Sequence, residues 1–308
     1  MTEDIVADFT GRFFFPRGSD GDATPLTGRV IATKKRVVLV AEDAKETVPL
    51  SRVIDINVGT VPPHVKQFFD DTLTIGYKTD EGTQSAVIES RGETVDTFVT
   101  ILFRCLLNGQ KAAVKHPARV GGRVKDSPVV PGKIRLDDHR IEVRSKGGTF
   151  GFDVETVMQI DRTNKIGTSD DRVTLVVKHA DPDTGKTTTS LIAPAKSQYV
   201  NLLARFLRLE YDALREETED IELSNPEKRV LVGVHATGGD IDFTNMLDGD
   251  PAYVTNVLNS VKNKGLIVEN GSGISLTATG RIIVSQRIED VNAGGTLEAL
   301  EETRANNR

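Results

Sequence analysis

Apolar residues along the first two thirds of the chain follow two alternating rhythms. Val53, Ile54, Ile56 and Val58 recur about every second position, and Val173–Val177 is a β-branched run; both predict strands. Val95, Phe98, Val99, Leu102 and Phe103 recur at steps of three and four, as do Tyr199, Leu202, Leu203, Phe206 and Leu207, which predicts amphipathic helices. Turn-forming clusters, Asp80-Glu81-Gly82 and Asp181-Pro182-Asp183-Thr184-Gly185, stand between predicted strands.

The rhythm repeats. Thr27-Gly28-Arg29-Val30-Ile31 returns 104 residues later as Pro131-Gly132-Lys133-Ile134-Arg135. The same displacement carries Arg36-Val37-Val38-Leu39 onto Arg140-Ile141-Glu142-Val143, and Val53-Ile54-Asp55-Ile56 onto Val157-Met158-Gln159-Ile160. It also carries Val87-Ile88 onto Leu191-Ile192 and the first helical stripe onto the second. Leu73-Thr74-Ile75 matches Val173-Thr174-Leu175, so the first copy is expected to hold four extra residues, in a segment with Val61-Pro62-Pro63-His64. Six or seven strands and one closing helix suit a half-open barrel plugged by that helix, because a helical stripe needs a sheet to bury it. That arrangement resembles the pleckstrin-homology and GRAM-like superfold.

Past Glu216-Glu217-Thr218-Glu219-Asp220 the pattern changes. Asn225 is expected to cap a helix holding Pro226, Val230, Leu231, Val232 and Val234, ended by Gly238-Gly239. Asp240 or Asp242 starts a second helix with Phe243, Met246 and Leu247. Gly249-Asp250-Pro251 starts a third, with Val254, Val257, Leu258 and Val261 on one face and Gly265 closing it. Leu266-Ile267-Val268 and Ile274-Ser275-Leu276-Thr277, joined through Gly271-Ser272-Gly273, predict a two-stranded wing, and a last helix runs from Gly280 through Ile288. This order describes a winged helix-turn-helix. The expected fold is α+β: pleckstrin-like copies at 1–110 and 115–215, a winged helix-turn-helix at 222–291, and a mobile polar tail at 292–308.

Composition narrows the class. With 38% hydrophobic and 27% charged residues, the 308-residue chain reads as soluble and globular. No apolar run approaches the roughly 20 residues that span a bilayer. The start, Met1-Thr2-Glu3-Asp4, is acidic where a signal peptide is basic. The single cysteine, Cys105, excludes an internal disulfide framework, so a cytoplasmic protein is expected. Charge is segregated. Residues 1–110 hold 12 Lys/Arg against 16 Asp/Glu, residues 111–215 hold 19 against 13, and residues 216–308 hold 8 against 16. A basic middle between acidic ends points to electrostatic partner choice.

Chemistry is sparse. Ala180–Thr187 fits a loose phosphate-loop pattern, but it joins two predicted strands and carries two aspartates that repel phosphate. His64, His116, His139, His179 and His235 share no metal-ligand spacing and read as isolated surface or turn residues. Asp70-Asp71, Asp137-Asp138 and Asp170-Asp171 look like paired carboxylates, but two of the three pairs recur at related places before strands, where Asp favours turns, and no burial or partner for acid–base work is visible. Cys105 reads as a buried packing residue. No catalytic, metal or cofactor residue is assigned, and an enzyme is not expected.

Binding is the remaining class. The third helix of the last module exposes Tyr253, Thr255, Asn256, Asn259, Lys262 and Lys264. Asn could read adenine edges, which makes a DNA-binding transcription regulator the alternative reading. The module's acidic balance opposes phosphate, so a protein partner at Tyr253, Asn256, Asn259 and Lys262 is the expectation. The basic residues from Lys111 to Lys146 could face anionic lipid, but no amphipathic anchor accompanies them, so a solvated face or an acidic protein partner is preferred. Self-association is expected from the stripe of Leu207, Tyr211 and Leu214.

Ile5-Val6-Ala7-Asp8-Phe9-Thr10-Gly11-Arg12-Phe13, the barrel repeat and the winged helix together resemble the archaeal taxis adaptor family CheF. The resemblance implies a non-enzymatic adaptor between the response regulator CheY, preferably phosphorylated, and the archaellum motor, with other chemotaxis proteins as neighbours. It also implies recruitment to the motor at the membrane. It supplies no catalytic residues, and DNA and membrane lipid are disfavoured as partners.

Overall fold

The computed structural model describes residues 3–16, 24–89, 93–137, 140–167, 171–181, 186–239, 241–247, 250–270, 273–277 and 279–284. Among them the fold is α+β, with two large antiparallel sheets and several helices. The chain divides into two compact units, Met1–His179 with Thr187–Leu209, and Ala180–Lys186 with Glu210–Arg308.

In the first unit, one sheet comprises β1 (Ile5–Phe14), β2 (Leu26–Thr33), β3 (Arg36–Val40), β4 (Lys45–Pro49), β5 (Val53–Val58), β6 (Thr72–Thr79) and β7 (Gly82–Glu89). Its order is β4-β3-β2-β1-β7-β6-β5, and α1 (Glu93–Leu107) follows. The other comprises β8 (Lys111–Val120), β9 (Arg123–Val124), β10 (Val129–Asp137), β11 (Arg140–Ser145), β12 (Gly148–Asp153), β13 (Val157–Lys165), β14 (Asp171–Ala180) and β15 (Thr187–Pro194). Its order is β12-β11-β10-β8-β15-β14-β13, with β9 on β8, and α2 (Ser197–Glu219) follows. Leaving out β9, the two orders correspond strand for strand.

Register carries the repeat into three dimensions. Arg29 faces Val40 in the first sheet, and Lys133 faces Arg144 in the second. One sequence match moves. Ile56 faces Ile75, whereas Ile160 faces Val177, so Ile75 takes the place of Val177, two positions beyond Leu175. The first copy therefore holds two extra residues before β6, not four. The difference has a physical source: β-branched alternation looks alike after a shift of two, since the same face stays buried. The first copy spends this connection on a 3-10 turn, Pro63–Val65, and on Phe68 and Phe69, which pack with Val65 against Phe14 and Val87. The second copy instead prolongs its strands to the pair Lys165 and Asp171.

Gly28 and Gly132 occupy equivalent places for the same reason. A Cβ at Gly28 would lie 2.1 Å from the Val40 carbonyl oxygen, and one at Gly132 would lie 2.9 Å from that of Arg144 and 2.6 Å from Val143 Cγ1. Neighbouring strands approach too closely there for any side chain.

Both helices bury their predicted stripes: Val95, Phe98, Val99, Leu102 and Phe103 on α1, and Tyr199, Leu202, Leu203, Phe206 and Leu207 on α2. Tyr211 and Leu214 further along α2 are half-buried. Phe103 and Phe206 meet with ring centroids 5.5 Å apart. Just past α1, the Asn108 side chain accepts the Leu136 N–H at 2.6 Å, and the Gly109 N–H donates to the Ile134 carbonyl at 2.8 Å. In return, the Gln198 amide on α2 donates to the Val53 carbonyl at 3.2 Å, and Arg205 lies 3.3 Å from Asp55 on β5.

The second unit contains α3 (Asn225–Thr237), α4 (Phe243–Leu247), α5 (Pro251–Asn263), the hairpin of β16 (Ile267–Asn270) and β17 (Gly273–Leu276), and a helical segment over 279–284. Ser224, not Asn225, caps α3, because Glu227 reaches back to accept the Ser224 N–H at 2.6 Å and its hydroxyl at 2.9 Å. Asp242 caps α4 by accepting the Thr244 N–H at 3.0 Å. Gly238, at φ 70°, ends α3. Val230, Leu231, Val234, Val254, Val257, Val261, Leu266, Leu276 and Ile283 form the core. The Asp240 start, the Gly271-Ser272 turn, Ile288 and the expected mobile tail at 292–308 lie outside the described residues.

Glu227 ties this unit together. Its residue is 4% exposed; Oε1 accepts from Ser260 on α5 at 2.7 Å and lies 2.7 Å from Lys264 Nζ. Burial alone would raise its carboxyl, but hydrogen bonds from Lys264, Ser224 and Ser260 outweigh burial and hold it at about 2.

Gly28→Ala should cost about 2 kcal/mol or more, and Gly132→Ala less, since part of its clash is with a side chain that can turn. Urea unfolding of both variants checks the ranking. The folded Glu227 value lies below the unfolded one of 4.5, so its contribution is complete above that pH and is lost as pH falls through about 2. Glu227→Gln should flatten this acid dependence in thermal unfolding and remove about 3 kcal/mol at neutral pH.

Candidate functional site

The α5 helix carries the face expected to meet a partner. Asp250 caps it, Oδ1 accepting the Tyr253 N–H at 2.8 Å, and Pro251 sits in the first turn, where no donor is needed. Val254, Val257 and Val261 point into the core, which turns Tyr253, Thr255, Asn256, Asn259 and Lys262 outward. Steps of three set Tyr253, Asn256, Asn259 and Lys262 in one strip winding along the helix. Tyr253 is 43% exposed and stands outside the core cluster, so it does not take the packing role open to an aromatic residue at this position.

The charges of this helix are locally engaged. Lys262 Nζ lies 3.3 Å from Glu269 on β16, an exposed pair worth at most about 1 kcal/mol. Lys264 donates to the Glu222 carbonyl at 2.8 Å and pairs with Glu227. What remains is an aromatic ring and two amides beside a neutralised cation. Such a strip offers apolar area and hydrogen bonds, and little attraction to phosphate.

The histidines depart from their sequence reading. His179 is 3% exposed and His116 is half-buried, so these two are interior residues of the second sheet rather than surface or turn residues. Ser190 Oγ lies 2.9 Å from both His116 Nδ1 and His179 Nε2. Phe150 stacks on His116 at 3.9 Å and Phe152 on His179 at 4.8 Å. Ser190 is fully buried, which keeps its hydroxyl from any substrate and makes the trio an interior hydrogen-bonded network. No local spacing announces it: 74 residues separate His116 from Ser190. In the first sheet the place of His179 belongs to Tyr77, opposite Val53, and its hydroxyl donates to Glu46 at 3.1 Å. Burial first, then Glu46, pushes that phenol well up.

His64 and His235 are exposed, and His139 lies outside the described residues. Cys105 is half-buried, and burial raises its thiol, which suits packing better than reactivity. The segment from Ala180 to Thr187 joins β14 to β15, two strands, and its residues 182–185 lie outside the described set. Asp70 and Asp71 are exposed ahead of β6, while Asp138 and Asp170 are not described. Among the described residues no group of three His, Cys, Asp or Glu could hold a metal ion, and no helix is long and apolar enough to cross a membrane.

Comparison with known proteins adds an independent line. Residues 5–213 match the family model described as archaeal chemotaxis signal transduction system protein F. Taxis protein CheF2 of Halobacterium salinarum is 37% identical over 292 residues, covering 95% of this chain and 100% of that protein. Taxis protein CheF1 of the same organism is 25% identical over 296 residues, covering 92% and 97%. The family model stops within α2, whereas the likeness to both relatives continues through most of the second unit. By the length of the family match and the identity to CheF2, the chain belongs to the archaeal chemotaxis signal-transduction protein F family.

Proposed function

We propose that this chain is a non-enzymatic adaptor that couples the phosphorylated response regulator CheY to the archaellum motor through protein–protein contacts. Family membership across residues 5–213, with likeness to CheF2 over 95% of the chain, is the observation that carries the reading. The expected division supports it: pleckstrin-like copies at 1–110 and 115–215, and a winged helix-turn-helix at 222–291. These are small modules that present surfaces, and the common strand order of the two sheets accords with tandem copies. In this reading the protein works in the cytoplasm and is recruited to the motor at the membrane. Other chemotaxis proteins, or a second copy of the chain, complete the assembly.

Tyr253, Asn256, Asn259 and Lys262 form one partner contact in this proposal. The rival reading, a winged-helix transcription regulator, needs free cations beside the recognition helix. Lys262 and Lys264 are instead engaged by Glu269 and Glu227, which favours a protein.

Calorimetry of the full chain with CheY, with and without a phosphoryl mimic, tests the adaptor reading. Tighter binding of the mimic-bound form is expected, and equal affinity for both forms would overturn it. Tyr253→Ala should cost about 1–2 kcal/mol of partner affinity and leave the melting temperature unchanged, because the ring is not part of the core. A footprint on operator DNA with a steep salt slope would instead establish the rival.

A further inference from the structure

The second sheet carries a row of cations that its own architecture does not require. Lys133 on β10 stands directly across from Arg144 on β11 and from Lys111 on β8. All three are exposed, on strands about 4.8 Å apart. Like charges directly opposite each other weaken a sheet. Among the described residues neither Lys111 nor Lys133 has an acidic partner within 4.0 Å. The first sheet shows the alternative. Its corresponding row is Thr10, Arg29 and Val40, with one cation, and Asp8 grips that arginine at 2.7 Å and 2.5 Å. One scaffold thus supports both a row whose cation is neutralised and a row in which two of the three cations, Lys111 and Lys133, have no acidic partner among the described residues.

The repulsive row borders a cleft of about 560 Å³, lined by Arg104 and Asn108 at the end of α1 and by Lys133, Arg135, Leu136 and Arg144. Arg135 lies 3.1 Å from Asp137, and Arg144 lies 3.1 Å from Glu142. These two carboxylates decide what kind of anion fits. Each of these carboxylates is held by an arginine, and a phosphate backbone or a lipid surface, uniformly negative, has no donor to offer them. A protein surface can place carboxylates against Lys111, Lys133 and Arg144 and its own donors against Asp137 and Glu142.

We infer that this row is a docking face for a carboxylate-rich surface of a partner protein, separate from the contact on α5. A self-repelling row is a local cost that such a partner removes on binding. The face stands on geometry and charge, and it does not depend on whether that partner is the response regulator.

The test uses the full chain and three probes: a short poly-L-glutamate peptide, a DNA duplex of matched charge, and phosphatidylcholine vesicles containing phosphatidylglycerol. Poly-glutamate is expected to bind best, and Lys133→Glu with Arg144→Glu should weaken it at least tenfold. Lys66→Glu, an exposed charge reversal in the first copy, should leave it unchanged. Lys133→Glu alone should raise the melting temperature by a few degrees, since it turns two repulsions into attractions. Unchanged poly-glutamate affinity in the double variant, preference for the duplex or vesicles, or a lowered melting temperature for Lys133→Glu would each overturn the assignment. Loss of poly-glutamate binding with intact CheY binding would leave the adaptor reading standing and give this face a different acidic partner.

Discussion

The first unit depends on the need of two amphipathic helices to bury their stripes. A sheet with one apolar face needs a cover, and a helix with one apolar stripe needs a floor. Here each helix serves more than its own sheet. The α1 helix buries Phe98 and Leu102 and then hands its backbone to β10 through Asn108 and Gly109. The α2 helix follows the second sheet yet anchors Gln198 and Arg205 on the first residues of β5. Phe103 against Phe206 closes the exchange. Two repeats that could have been separate beads therefore form one compact unit. A core mutation in either helix is felt by both sheets, since packed interiors transmit strain.

This crossing was invisible in the sequence, while the elements it joins were not. Period-two and period-four patterns located strands and helices because burial acts on each residue locally, and the repeat was legible because Gly28 and Gly132 answer the same steric demand. The offset before β6 departs from the sequence pattern for an equally local reason: alternation tells which face is buried and not which partner is opposite. Ser224 and Asn225 are both acceptable caps by residue type, and only the reach of Glu227 chooses between them. The candidate strip on α5 was readable because a helix with Val254, Val257 and Val261 inside must show the opposite side. The engagement of Lys262 and Lys264 was not, since it depends on where β16 and α3 pass.

Two buried polar groups follow one rule, and a third network stands beside them. Glu227 keeps its charge because three hydroxyl or ammonium donors and a backbone N–H surround it. Tyr77 keeps its proton because burial and Glu46 both oppose the phenolate. His116, Ser190 and His179 share one hydroxyl between two rings. Glu227 and Tyr77 are retained inside with their partners supplied, because a low-dielectric interior makes an unmet group expensive. Tyr77 and His179 hold matching interior positions at which the two sheets differ.

The exposed faces divide along a different physical line. The strip on α5 is short of free charge and would bind through a ring, two amides and water exclusion, interactions that act only at contact. The row on β8, β10 and β11 is charged and would act at a distance, accelerating encounter before any contact forms. A protein that must hold two partners gains from such a contrast. A partner suited to the neutral strip finds no compensation for burying the lysines, and one rich in carboxylates meets Glu269 and Asp250 beside α5. In the proposed reading each surface would discriminate against the partner of the other.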